Sequence, residues 1–249
     1  MNVVLLAGGN SKQFFKDCIV YKSLAVIAGK PMVRWVAEAF DGSESIDRIC
    51  VIGPKAQLED ALSDLKKIEV LDGSDELLDN IEAGLRYFEH DRRVMIASAD
   101  IPMITEEMVT WLAHEFESRN EDFIYPIISK AYTTSRFPNM RRTYVHLREG
   151  EFTGGNISCV RPAAVFNSFD LIAKLIKYRK RPDKTASLLG MRFVMGLVTG
   201  RMTIPEIEKR VYEISGITAV ALKCPFPEVG SDVDSADDLP LAENELMLR

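Results

Sequence analysis

The chain has 249 residues, 47% of them hydrophobic and 27% charged, with a formal net charge of −6. That supplies enough apolar material for a large α/β core, and the acidic balance argues against nucleic-acid binding through a basic surface. Its four cysteines, Cys18, Cys50, Cys159 and Cys224, lie far apart with no C-x-x-C pair and no nearby histidine, which argues against a zinc site and a disulfide frame.

In chain order, Asn2–Gly8 (NVVLLAG) reads as a short buried strand ended by glycine. Met32–Phe40 follows Pro31 and carries apolar residues at helical spacing. Arg48–Gly53 and Ile68–Gly73 read as the next two strands, with a helix over Gln57–Lys67 between them. Ser74–His90 is predicted as a helix with Ser74 as its cap. Arg92–Asp100 is a further buried strand, and Thr105–Arg119 a helix capped by Thr105 with two glutamates in its first turn. In the next strand, Asp122–Ile128, Pro126 predicts an edge or a bend. Ser129–Gly150 reads as an arginine-rich hairpin-like flap, in which Arg136, Arg141 and Arg142 either grip an anionic acceptor or face solvent. Leu171–Val211 joins a basic cluster to an interrupted apolar stretch, and Pro240–Arg249 reads as a frayed tail. Strands alternating with helices in this way give a mostly parallel central sheet flanked by helices.

In such sheets ligands bind beyond the carboxyl ends of the strands, where Gly8-Gly9, Asp72-Gly73 and Asp100 fall. The glycine turn after the first strand matches neither a dinucleotide fingerprint nor a Walker loop, because the further glycines and the Gly-Lys pair are in the wrong places. A pair of glycines there lets backbone N–H groups approach a nucleotide. The three histidines, His90, His114 and His146, have no chemical partners in the sequence pattern and read as surface or structural residues.

Four segments, in order, carry a family resemblance: LAGG at the first strand, YKSLAVIAGKPMVRWV after it, ASADIPMIT, and GSDVDSADDL near the end. The chain resembles the MobA-like nucleotidyltransferases, of the GT-A, Rossmann-like fold. The resemblance implies transfer of a nucleoside monophosphate from a nucleoside triphosphate (GTP or CTP) to a phosphorylated small-molecule acceptor, with Mg²⁺ as cofactor and pyrophosphate as product. It makes Lys22 the lysine that stabilises charge on the α-phosphate and Asp100 a metal ligand. Asp234 aligns best with the second ligand, with Asp232 its nearest rival. Leu6, Ala7, Gly8, Gly9, Lys12, Asp72 and Asn80 are the expected nucleotide-binding positions, together with Lys22 and Asp100. Thr153, Gly154, Gly155 and Asn156 are expected beside the acceptor. Ser11 and Gln13 replace the family's second glycine and arginine, which bears on rate and nucleotide preference. A nucleotide-binding regulatory protein of the same fold therefore stays open as an alternative, and a GT-A glycosyltransferase stands further off.

The expected organisation is a single domain, with a nucleotide-binding half over residues 1–120 and an acceptor-side half over 121–249. A helical insertion over residues 163–214 is expected to pack on the core or to form a homodimer face. The apolar stretch is too short and interrupted for a spanning helix. Membrane association is not expected, because the net acidic chain disfavours anionic membranes and Arg192 interrupts the apolar face. With no basic leader or cleavage site at the start, the cytoplasm is the expected compartment.

Overall fold

The computed structural model describes residues 1–8, 21–178, 181–235 and 237–248. Among these, four parallel strands form one half of a mixed sheet: β1 (Asn2–Leu6), β4 (Ile49–Gly53), β5 (Ile68–Asp72) and β6 (Val94–Ser98), in the order β5-β4-β1-β6. The short pair β2 (Val26–Ile27) and β3 (Lys30–Pro31) forms a separate ribbon. β10 (Ile157–Val160) then runs antiparallel between β6 and β7 (Phe123–Ser129). β9 (Gly150–Gly154) and β8 (Val145–Leu147) extend the sheet beyond β7, and β11 (Ala219–Lys223) lies parallel to β7.

The two faces of the sheet follow from the alternation of side chains along each strand. Val3 and Leu5 face a core built with α1 (Met32–Gly42), α2 (Lys55–Leu62) and α4 (Glu106–Glu117). Val4, on the opposite face, packs in a cluster with Leu85 of α3 (Leu77–Tyr87) and Val165 of α6 (Pro162–Asn167). Both faces are covered, which is why these strands read as continuous apolar runs. α6, α7 (Phe169–Tyr178), α8 (Pro182–Leu189), α9 (Met191–Val198) and α10 (Ile204–Ser215) follow one another between β10 and β11. Among the described residues no helix is long and apolar enough to cross a membrane.

The structure corrects four local expectations. Ser74 does not cap a helix: α3 starts at Leu77, and the Ser74 backbone N–H and carbonyl bond the Asn80 side chain instead. Pro126 sits inside the sheet, not at an edge. Its missing N–H is harmless because β7 changes partner there, from β10 at Phe123–Ile124 to β9 at Ile127–Ser129. The start of the expected flap is a helix, α5 (Lys130–Arg136), capped by Ser129, and only β8 and β9 form the hairpin. The expected tail is the helix α11 (Leu239–Met247), which buries Ala242 and Leu246 against Ile27, Met32, Phe137 and Val233. Leu246→Ala should therefore lower stability by about 2–4 kcal/mol in urea denaturation; an unchanged midpoint would return this segment to a frayed end.

Candidate functional site

β10 enters the sheet at the edge where β1 and β6 leave it, since Ile157 pairs with Ala97. A cavity of about 370 Å³ opens at that edge. Leu6, Ala7 and Gly8 line it from β1, Ser98 and Asp100 from β6, Gly155 and Asn156 from the start of β10, and Asp75, Leu77 and Asn80 from the α3 side. A Cβ on Gly8 would come within 2.8 Å of Asn80 Nδ2, so glycine lets the chain leave β1 this close to α3 without displacing the Asn80 amide. Asn80 lines the cavity with both ends of its amide bonded to the Ser74 backbone, at 2.8 and 2.9 Å, so it shapes the loop before α3.

Lys22 projects from a short 3-10 turn, Lys22–Leu24. The buried Ser23 hydroxyl fixes that turn by donating to the Ala7 carbonyl at 2.7 Å. Lys22 Nζ bonds Asp100 Oδ2 at 2.7 Å and Asp234 Oδ1 at 2.6 Å. Burial works against its charge, but the two carboxylates outweigh burial and hold its pKa above the usual lysine value. It is a cation at neutral pH.

The loop after β11 brings the other acids. A backbone bond from Val233 N to the Asp100 carbonyl, 2.8 Å, lays this loop beside the end of β6. Carboxylate oxygens of Asp100, Asp232 and Asp234 then lie within 4.8 Å of one another. Arg142 donates to the Asp232 carboxylate and, at 2.8 Å, to its carbonyl. Asn156 Nδ2 donates to Asp232 Oδ1 at 3.3 Å, while its backbone carbonyl accepts from Ser98 N at 3.0 Å. Burial pushes Asp232 above the usual carboxylate range, and a hydrogen bond shared with Asp234 pushes it further. For Asp234 burial acts upward too, but the bonds from Asp232 and Lys22 prevail and hold it below that range.

Asp100 Oδ1 is buried with no hydrogen-bond partner among the described residues. Three clustered carboxylates with one unused oxygen form a donor set that fits a hard divalent cation such as Mg²⁺.

Other expected residues fall elsewhere. Asp72 is exposed on the edge strand β5, in register with Gly53, and does not line the cavity. Thr153 and Gly154 belong to β9 and do not line it either. Gly154 instead makes room for Tyr125, whose hydroxyl would overlap any Cβ there. Gly9 and Lys12 lie outside the described residues. Arg136 spans Glu228 at 3.2 Å and Glu245, and so ties α5 to α11. Sequence reasoning missed Ser23 and the link from Asn156 to Asp232, because neither the Ala7 carbonyl nor the late loop announces its partner in the sequence.

Residues 3–183 match the MobA-like NTP transferase domain. The chain belongs to this family. Among curated relatives, it is 23% identical over 157 residues to a probable molybdenum cofactor guanylyltransferase of Thermococcus gammatolerans, covering 63% of this chain and 78% of that one. It is 25% identical over 112 residues to a 2-C-methyl-D-erythritol 4-phosphate cytidylyltransferase of Lachnospira eligens. That match covers 43% of this chain and spans about half, 48%, of the relative's length. A hypothetical transferase of Thermus thermophilus superimposes with a TM-score of 0.84 at 34% identity, over 96% of this chain and 98% of that one. The 2-C-methyl-D-erythritol 4-phosphate cytidylyltransferase of Francisella tularensis shares the fold, with a TM-score of 0.62 at 13% identity over 98% of each chain. Within this MobA-like frame, Ser23→Ala should leave a buried carbonyl unpaired and lower stability by about 1–3 kcal/mol. Urea denaturation with an unchanged midpoint would remove Ser23 from the account of how Lys22 is positioned.

Proposed function

We propose that the chain is a Mg²⁺-dependent nucleotidyltransferase that moves a nucleoside monophosphate from a triphosphate onto a phosphorylated small molecule and releases pyrophosphate. The observation that carries this reading is Lys22, held at once by Asp100 and Asp234 at the mouth of the crevice. In the proposed reaction an acceptor phosphate oxygen attacks the α-phosphorus. The bond from that phosphorus to its bridging oxygen breaks, and the electron pair leaves with pyrophosphate. A phosphate monoester is already anionic near neutral pH, so no side chain has to remove a proton.

Catalysis then rests on positioning and on neutralising charge. Lys22 is within reach of phosphate oxygens arriving between Asp100 and Asp234, and its raised pKa keeps it cationic. Asp100 and Asp234, with Asp232 beside them, would hold Mg²⁺, which when bound adds further positive charge at the phosphates. Arg142 and Asn156 hold Asp232 in place from the other side of the sheet junction. GTP and CTP are the donors to test first, since the named relatives are a guanylyltransferase and cytidylyltransferases.

Pyrophosphate release, measured with the four triphosphates against a panel of phosphorylated acceptors, tests the reading. Asp100→Asn should abolish Mg²⁺-dependent release while unfolding stays cooperative; an intact rate would remove Asp100 from the metal site. Lys22→Ala should lower kcat by about 10²–10³-fold with little change in triphosphate affinity, as for a group that acts in the transition state. Equal losses in both would make Lys22 a plain binding residue.

A further inference from the structure

A second, larger cavity of about 550 Å³ lies between the sheet and helices α7 to α10. Its walls are hydrocarbon: Ile172 and Leu175 from α7, Phe193 and Leu197 from α9, Ile207 and Val211 from α10. At its margin Arg210 and Ser215 are engaged with protein, and Ser158 adds a third polar residue where the cavity adjoins the crevice. Arg210 donates to the Leu189 carbonyl at 2.9 Å and pairs with Glu213 at 3.1 Å, and Ser215 Oγ donates to the Val211 carbonyl at 2.6 Å. The cavity therefore offers apolar contact and almost nothing else. Protein interiors hold few voids larger than a water molecule, and an engineered apolar void of about 150 Å³ already binds benzene.

Its position gives it a role. Ile81, Ile96 and Ser158 line both this cavity and the crevice that holds Lys22 and Asp100. The crevice and the apolar space therefore adjoin at these three side chains, two of them apolar, which puts a chain attached to a phosphate in the crevice next to the apolar space. α9, which closes the cavity with Phe193 and Leu197, also carries the exposed Met191, Met195 and Val198 on its other side. The exposed Arg192 interrupts that outer side, so the continuous apolar surface of the helix is the inner one.

We propose that the acceptor is a phosphomonoester bearing a hydrocarbon chain, with the chain bound in the cavity under α7, α9 and α10. This rests on the nucleotidyltransferase reading for the role of the phosphate, but chain binding can be measured without turnover.

The probes are butyl, hexyl, octyl and decyl phosphate, kept below their micelle concentrations and titrated calorimetrically into the full chain. Affinity should rise about fourfold for each methylene added, at one molecule per chain. Leu197→Trp, which projects a larger ring into the cavity, should flatten this gradient at the longer chains and keep the wild-type thermal shift with Mg²⁺ and triphosphate, since Leu197 does not line the crevice. The milder Leu175→Phe should end the gradient at a shorter chain, which keeps the test valid if the tryptophan variant fails to fold. Affinity independent of chain length, many molecules bound per chain, or a gradient intact in both variants would overturn the proposal. Pyrophosphate release with butyl phosphate but no chain-length gradient would leave the transferase reading standing and this inference refuted. A gradient with no pyrophosphate release from any triphosphate would keep the chain-binding cavity and overturn both the transferase reading and the assignment of the bound molecule as acceptor.

Discussion

Three carboxylates whose oxygens lie within 4.8 Å of one another repel, and the rest of the site is arranged around that repulsion. Like charges at such a distance cost roughly 3 kcal/mol per pair near a protein surface, so the cluster requires cations beside it. Lys22 supplies one, from a turn fastened to the end of β1 by Ser23. Arg142 supplies another, from the segment between α5 and β8. Burial and the neighbouring acids hold Asp232 above the usual carboxylate range, the mark that this repulsion leaves on the cluster. Each of these devices comes from a different part of the chain, so the cluster is assembled by tertiary structure and not by a local motif.

The sheet makes that assembly possible. Four parallel strands deliver Leu6, Gly53, Asp72 and Ser98 to one edge, and the antiparallel β10 starts at the same edge. Asn156, at that start, accepts from Ser98 through its carbonyl and donates to Asp232 through its amide. One residue therefore couples β6, β10 and the late acidic loop. α11 packs below this loop with Val233 in a common cluster, which makes the C-terminal helix a support for Asp232 and Asp234.

The sequence made some of this legible and concealed the rest, for physical reasons. A strand that ends in glycine or aspartate announces itself by its apolar run and its terminator, so the places of Gly8 and Asp100 could be read directly. Asp72 has the same local signature, but it ends an edge strand outside the cavity, whose lining on the α3 side includes Asp75 and Leu77. Pro126 looked like an edge signal because proline lacks a donor, yet a change of strand partner at that residue makes the donor unnecessary. The tail PLAENELMLR is too short to declare a helix by its own pattern, and it becomes one because Ala242 and Leu246 find a partner surface distant in sequence. Long-range partners of this kind leave no periodic trace.

The account depends on the acidic cluster being a cation site, and Mn²⁺ binding followed by electron paramagnetic resonance measures that most directly. With a non-hydrolysable triphosphate present, the wild type should bind Mn²⁺ at a saturable site that involves the protein, and the double variant Asp100→Asn, Asp234→Asn should leave only the spectrum of Mn²⁺ on the free triphosphate. A wild-type spectrum identical to that of the double variant would contradict the account.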